Sequence, residues 1–386
     1  MSAKVNILVG TKKGGFIFSS DAGRKNWQVG DIHFKSWNVM HMQMDPRDQR
    51  LHAAVDHFVY GPTTHYSDDF GKTWVQARQV PVLTRPSTTG RPASTVDEAF
   101  RSEGGESLKN KPEKMIKVWN IKPGRASEPN VLYAGAQPAS LFISRDRGET
   151  WTLNEALYDH PHRGNWNPGA GGLCLHTILL DPTDLKRLYI AVSAAGCYRS
   201  DDGGQTWNPF NKNVRADFMP DKFPEYGQCV HKMAMHPSNP NLIYQQNHCG
   251  VYRSDNAGQD WIDIGDGKLP ARFGFPIAVH PTDPRTVYIA LEESDEYRMS
   301  VEGKFSVWRS RDAGESWQRM TKGLPDRAHL VVLREAMATD SFEEAGIYVG
   351  TDTGQLFYSR DNGDSWGLLA DYLPPICSVE AAVAGG

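Results

Sequence analysis

Ser67-Asp68-Asp69-Phe70-Gly71-Lys72-Thr73-Trp74 is one of seven copies of a short phrase that punctuates this 386-residue chain. Five further copies occupy 144–151, 200–207, 254–261, 310–317 and 359–366, and a degenerate copy with one extra residue occupies 19–27. The pattern is Ser-x-Asp-x-Gly-x-Thr/Ser-Trp, recurring at intervals of roughly 50–80 residues, and such self-similarity marks a repeat architecture. Ser and Asp side chains capture nearby backbone groups and Gly supplies a positive φ, so the phrase reads as a tight turn. Its Trp then opens the next strand with a large face to bury.

Strand-like runs flank each turn. Leu141-Phe142-Ile143, Cys197-Tyr198-Arg199 and Gln355-Leu356-Phe357-Tyr358 precede it. Upstream lie Leu188-Tyr189-Ile190-Ala191-Val192, Val287-Tyr288-Ile289-Ala290 and Ile347-Tyr348-Val349-Gly350, and before those come runs ending in Asp-Pro or His-Pro, such as 176–182 and 231–237. Each unit therefore reads as four strands, A to D, with the phrase at the C–D turn. Radial repetition of such units makes an all-β, seven-bladed β-propeller. The N-terminus opens with a B strand at residues 5–9, with no A strand before it. The C-terminal run Cys377-Ser378-Val379-Glu380-Ala381-Ala382-Val383 is an A strand without a B. Pairing the two completes the N-terminal blade, closes the ring and hides two sheet edges. The repeats fill residues 1–386 as a single propeller domain, with a long inserted loop at 75–114 expected over or beside the channel mouth.

The phrase resembles the Asp-box, or BNR repeat, of the sialidase-type propeller superfamily, over essentially the whole chain. That superfamily includes sialidases, xyloglucanases, sortilin-type receptors and photosystem assembly factors. The chain looks most like its bacterial exo-sialidase-like, glycosyl hydrolase-like members. The resemblance implies a structural Asp-box face and a functional site on the opposite face. It does not by itself fix the chemistry. An early Arg-Ile-Pro motif, expected of true sialidases, is absent.

Net charge is −4, with acids and bases mixed along the chain. No basic stripe points to nucleic acid, and no apolar run approaches membrane-spanning length. The N-terminus enters a strand without a leader-like apolar region, so a cytoplasmic location is expected. Five cysteines form an odd set, which suits reduced thiols in that compartment. The partners expected are a small molecule or carbohydrate and no nucleic acid or membrane. Long loops on a propeller surface suit a homo-oligomer.

The loops opposite the Asp-box turns carry the candidate site. The D–A connection Tyr158-Asp159-His160-Pro161-His162-Arg163-Gly164-Asn165-Trp166 is aromatic and His-rich. His160, His162, Arg163, Trp166 and Arg215 are candidates for substrate binding, joined by Lys117 and Arg334 at the starts of A strands. Most glycosidases need two carboxyl groups, and the candidates are Asp56, Glu225, Glu335 and Asp352, with Tyr226 as a further acid–base group. Asp352 lies in Thr351-Asp352-Thr353-Gly354-Gln355, which resembles the Thr-Asp-x-Gly-Gly stretch carrying a catalytic Asp in seven-bladed xyloglucanases, with Gln355 at the last position.

Aligned on their terminal Pro, Cys174-Leu175-His176 and Cys229-Val230-His231 share a register, and alternation puts Cys and His on one side of each strand. His248 and His57 add imidazoles from B–C loops. His57, His176, His231 and His248 are thus candidate ligands for a divalent transition metal such as zinc. Against this stands the ordinary role of a buried His, bonding backbone. Three functions compete: a glycosyl hydrolase-like enzyme working at the central channel mouth, a metal-dependent lyase or hydrolase built on the His cluster, and a non-catalytic interaction or assembly module.

Overall fold

The computed structural model describes residues 3–84 and 113–384. They form seven antiparallel four-stranded sheets, each running from an inner A strand to a short outer D strand. Blades 2 to 7 take their four strands consecutively from the chain, with inner strands Asn38–Met44, Lys117–Pro123, Cys174–Leu180, Val230–Met235, Phe273–Val279 and Met337–Thr339. Of the segment expected as an insertion at 75–114, Val75–Gln76 is the outer strand of blade 2, and 85–112 lies outside the described residues.

Blade 1 takes its inner strand from the other end of the chain. Ile376–Ala384 pairs antiparallel with Lys4–Thr11, in register from Lys4↔Ala384 to Gly10↔Ser378. Side chains reinforce this seam. Arg24, in the degenerate first turn, donates from Nη1 to Asp340 Oδ2 of blade 7 at 3.1 Å, and the Tyr348 hydroxyl donates to the same carboxylate oxygen at 3.0 Å. Trp27 meets Tyr348 edge-on, with ring centroids 5.8 Å apart.

The repeated turn works as its chemistry demands. In blade 2, Ser67 Oγ donates to Asp69 Oδ1 at 2.8 Å and accepts from the Gly71 amide at 2.8 Å. Asp69 in turn accepts from the Thr73 amide and hydroxyl at 2.8 and 2.7 Å. Four bonds thus fold eight residues back on themselves, and Gly71 sits at φ +84°, where a side chain would be strained. Ser144, Ser200, Ser310 and Ser359 repeat the network with Asp146, Asp202, Asp312 and Asp361. In blade 5, Asn256 takes the Asp position and donates to Asp260 at 3.0 Å. Several of the Trp residues that close these turns link neighbouring blades: Trp151 Nε1 donates to Thr64 Oγ1 of blade 2 at 3.0 Å, and Trp261 and Trp317 donate to Phe210 and Ile264 carbonyls at 2.9 Å.

Six inner strands carry a β-bulge. Cys377, Met40, Trp119, His176 and His231 each lack a partner on the adjoining B strand, and the Phe275-Pro276 pair does so in blade 6. A bulge re-aims the side chain it carries, and here the side chains meet around the axis.

Two outcomes follow. Deleting residues 377–386 should leave the Lys4–Thr11 strand as an open edge and abolish a cooperative melting transition; a deletion variant that melts like the parent would contradict the closure. S310A removes a buried hydroxyl that serves Asp312 and Gly314, and should destabilise by about 1–3 kcal/mol in chemical denaturation.

Candidate functional site

The starts of the inner strands, the B–C loops and the D–A connections converge on the face opposite the Asp-box turns, around a cavity of about 640 Å³. Its wall carries four cationic side chains, Lys12, Lys117, Arg298 and Arg334, and three aromatic rings, Trp119, Phe218 and Phe275. No Asp or Glu is among the described lining residues. Cys229, His231 and His248 form a polar patch on the same wall.

Arg334 precedes the inner strand of blade 7 and reaches across the axis. Its Nη1 donates to Cys174 Sγ of blade 4 at 3.3 Å, and its guanidinium lies 5.3 Å from the Trp119 ring centroid and 5.5 Å from that of Phe275. Burial pushes the Cys174 thiol up to about 11, so this partner stays neutral and leaves the arginine charge available to a ligand. Arg298 stands over Phe273 and Phe275, and Lys117 over Trp119. Aromatic faces can hold a cation in place without cancelling its charge.

The carboxyl groups sit outside this ring of cations. Glu292 ends the B strand of blade 6, is 3% exposed, and has an Oε2 with no hydrogen-bond partner among the described residues. Burial lifts its carboxyl from 4.5 to about 8, against the pull of Arg298 and with a push from Asp352. Asp352 is half-buried in the B–C loop of blade 7 and accepts from the Val331 amide at 3.2 Å; burial raises its carboxyl too. Burial thus raises both carboxyls, Glu292 the further, and the charge of Asp352 adds to the rise at Glu292.

Of the residues expected from sequence, Lys117, Arg334, His231 and His248 meet at the cavity. Asp56 lies at the end of its B strand, half-buried, where burial raises its carboxyl against the charges of Lys117, His57 and Lys114. Glu335 is buried and salt-bridged to Lys232. The remaining residues do not come together with the cavity. His160 caps a short 3₁₀ turn at Pro161–Asn165, accepting from the His162 amide at 3.1 Å, while its Nε2 bonds the Trp207 carbonyl at 3.0 Å. His162 stacks on Tyr226, with centroids 4.1 Å apart. Arg163 is only 1% exposed and salt-bridged to Glu113 at 3.0 Å, and Trp166 donates to the Tyr198 hydroxyl at 2.9 Å. These groups pack the D–A connection. Glu225 lines a separate outer pocket with Phe210 and Gln259, and Arg215 pairs with Asp217 at 2.9 Å on the surface.

Two expected metal ligands also stand apart. His57 stacks on Tyr60 and accepts from the Val59 amide at 3.1 Å. His176 occupies the blade 4 bulge, where its two ring nitrogens bond the Val230 carbonyl at 2.9 Å and Thr177 Oγ1 at 3.0 Å. Strict alternation fails there because the bulge interrupts it. Sequence reasoning passes over Glu292 because it ends an apolar strand, and Trp119 carries no pattern, whereas Arg298 is legible as one of the charges of the 292–304 loop expected to help line a pocket. A carboxylate closing the run Tyr288-Ile289-Ala290-Leu291-Glu292 was the available signal.

The BNR/Asp-box repeat family model matches residues 65–76, 142–153 and 198–209. The chain thus carries Asp-box repeats within its seven-bladed propeller. This propeller is similar to xyloglucanase Xgh74A of Acetivibrio thermocellus, at 24% identity over 233 residues, covering 51% of this chain and 26% of that protein. It is similar to a xyloglucanase of a Paenibacillus species at 26% identity over 279 residues, covering 61% of this chain and again 26% of the relative. The propeller thus spans about a quarter of the length of these curated relatives. Among solved structures, an ancestral GH74 enzyme superposes with a TM-score of 0.58 at 18% identity, covering 86% of this chain and 38% of that one, which shows a shared fold.

Glu292 binds its proton more tightly in the folded propeller than in the unfolded chain. Stability should therefore fall as pH rises from about 4.5 to about 8 and level off above. E292Q should flatten that decline. Melting temperatures measured between about pH 5 and pH 9 check this, and identical profiles for parent and variant would count against it.

Proposed function

We propose that this propeller is a glycoside hydrolase-like enzyme whose substrate is an anionic saccharide, bound at the channel mouth. The observation that carries the reading is a saccharide-sized cavity with four cations and no carboxylate among its described lining residues. Low-dielectric walls strengthen the field of unpaired cations inside a cleft, and Trp119 and Phe275 offer flat faces for sugar rings beside them. The similarity to xyloglucanases supports a hydrolase class, while the lining charge favours an acidic substrate over a neutral glucan.

Hydrolysis of a glycosidic bond needs one carboxyl to protonate the leaving oxygen and a second to act as base or nucleophile. Glu292, whose carboxyl burial raises to about 8, has the proton affinity for the first role and Asp352 is the candidate for the second; both stand outside the cavity lining, so the scissile bond must lie beyond the wall that holds the acidic group. Both lie on the channel-mouth face, and Glu292 is charge-coupled to Arg298 of the cavity wall.

Calorimetric titration with uronic-acid oligosaccharides and with neutral xyloglucan fragments tests the substrate class. Acidic ligands should bind more tightly, with affinity falling as salt is raised. K117Q and R298Q should each weaken acidic-ligand binding by roughly 10–100-fold, the worth of a charge-assisted contact. Equal or tighter binding of the neutral fragments would overturn the reading.

A further inference from the structure

The saccharide reading gives no role to three donors on the cavity wall. We infer that Cys229, His231 and His248 form a binding site for a divalent transition metal, zinc foremost, with a fourth position open to the cavity. One blade supplies all three: Cys229 and His231 come from the start of its inner strand, and His248 from its B–C loop. A donor atom from each lies within 4.8 Å of the other two. Donors around a tetrahedral zinc sit roughly 3.3–3.8 Å apart. An adjustment of about 1 Å closes the site, and the partly exposed loop residue His248 is placed to supply it.

The donor set is specific. One thiolate and two imidazoles suit zinc, cobalt or nickel, and not the oxygen-seeking magnesium or calcium. Both imidazoles are also held from behind. His231 Nδ1 donates to the Gly274 carbonyl at 2.6 Å, and His248 Nε2 donates to Asp295 Oδ2 at 3.0 Å. A carbonyl or carboxylate behind a His fixes its tautomer and strengthens its remaining nitrogen as a ligand.

His176 supplies an internal control. It occupies the same bulge one blade earlier, and both of its ring nitrogens are already bonded to protein. His231 makes only the backbone bond, and its ring faces His248 at a centroid distance of 5.9 Å. Arg298 and Arg334 repel a dication nearby. Metal coordination would displace the Cys229 proton and create a thiolate there, and the Asp295 carboxylate behind His248 adds a second opposing negative charge. Three protein ligands beside an open cavity match the catalytic kind of zinc site, in which water or substrate takes the fourth place.

The inference stands apart from the hydrolase reading and is tested without activity. Full-length protein titrated with Co²⁺ should bind about one equivalent and develop a thiolate-to-cobalt charge-transfer band. C229S should abolish the band, and H248Q should weaken binding at least ~10-fold, with both variants melting like the parent. Cys229 and His231 are both buried, so the near-isosteric C229S and H248Q at the partly exposed position carry the test. No uptake of cobalt, uptake without the thiolate band, or equal uptake by C229S and H248Q would overturn the site. The uronic-acid titrations, run on metal-free protein, report independently on the anion cavity.

Discussion

The two ends of the chain meet in one sheet, and everything else depends on that seam. Seven wedge-like blades pack around an axis only if the last one docks on the first. The Ile376–Ala384 strand makes that contact with a ladder of backbone hydrogen bonds, because blade 1 is built from both ends of the chain. The ring then holds the inner strands at fixed distances from the axis. Their bulges point Met40, Trp119, His231 and Phe275 into one space, and that space is the cavity. Open the seam and the ring of cations, which four different blades supply, is lost.

Charge is sorted along the same axis. Lys232 and His41 lie one residue further along their inner strands than the bulged His231 and Met40. Lys232 pairs with Glu335, and His41 bonds Glu380 at 3.2 Å. Burial pushes the Glu380 carboxyl up, but the His41 hydrogen bond and the positive charges of His41, Lys232 and Lys122 together outweigh it and hold it low. The acids near the axis are thus spoken for by bases from other blades. The cations nearer the mouth have aromatic rings and a thiol around them instead. The separation produces a cup that is positive inside although the whole chain is slightly acidic.

How much of this the sequence discloses depends on the range of the interactions involved. The Asp-box turn is legible because Ser67, Asp69, Gly71 and Thr73 bond one another within a few residues. Blade number and ring closure follow by counting turns and noting an unmatched strand at each end. The site is less legible because it is made by contacts between blades. Nothing local shows that the His176 ring reaches the Val230 carbonyl, that Arg334 crosses to Cys174, or that Arg163 is buried against Glu113. Bulges add a second obstacle, since one extra residue breaks the alternation from which facing is read. Glu292 illustrates a third: its altered proton affinity comes from burial, which composition does not report.

Arg334 extends from blade 7 to blade 4, and the other cavity cations come from blades 1, 3 and 6. A ligand seated among them therefore acts as the hub of a wheel, joined to spokes that the backbone connects only around the rim. Peeling away blade 1, 3, 6 or 7 would then require releasing the ligand first. Occupancy would convert local fraying of a blade into an event of the whole ring, so the protein's resistance to proteolysis would report on whether the hub is filled.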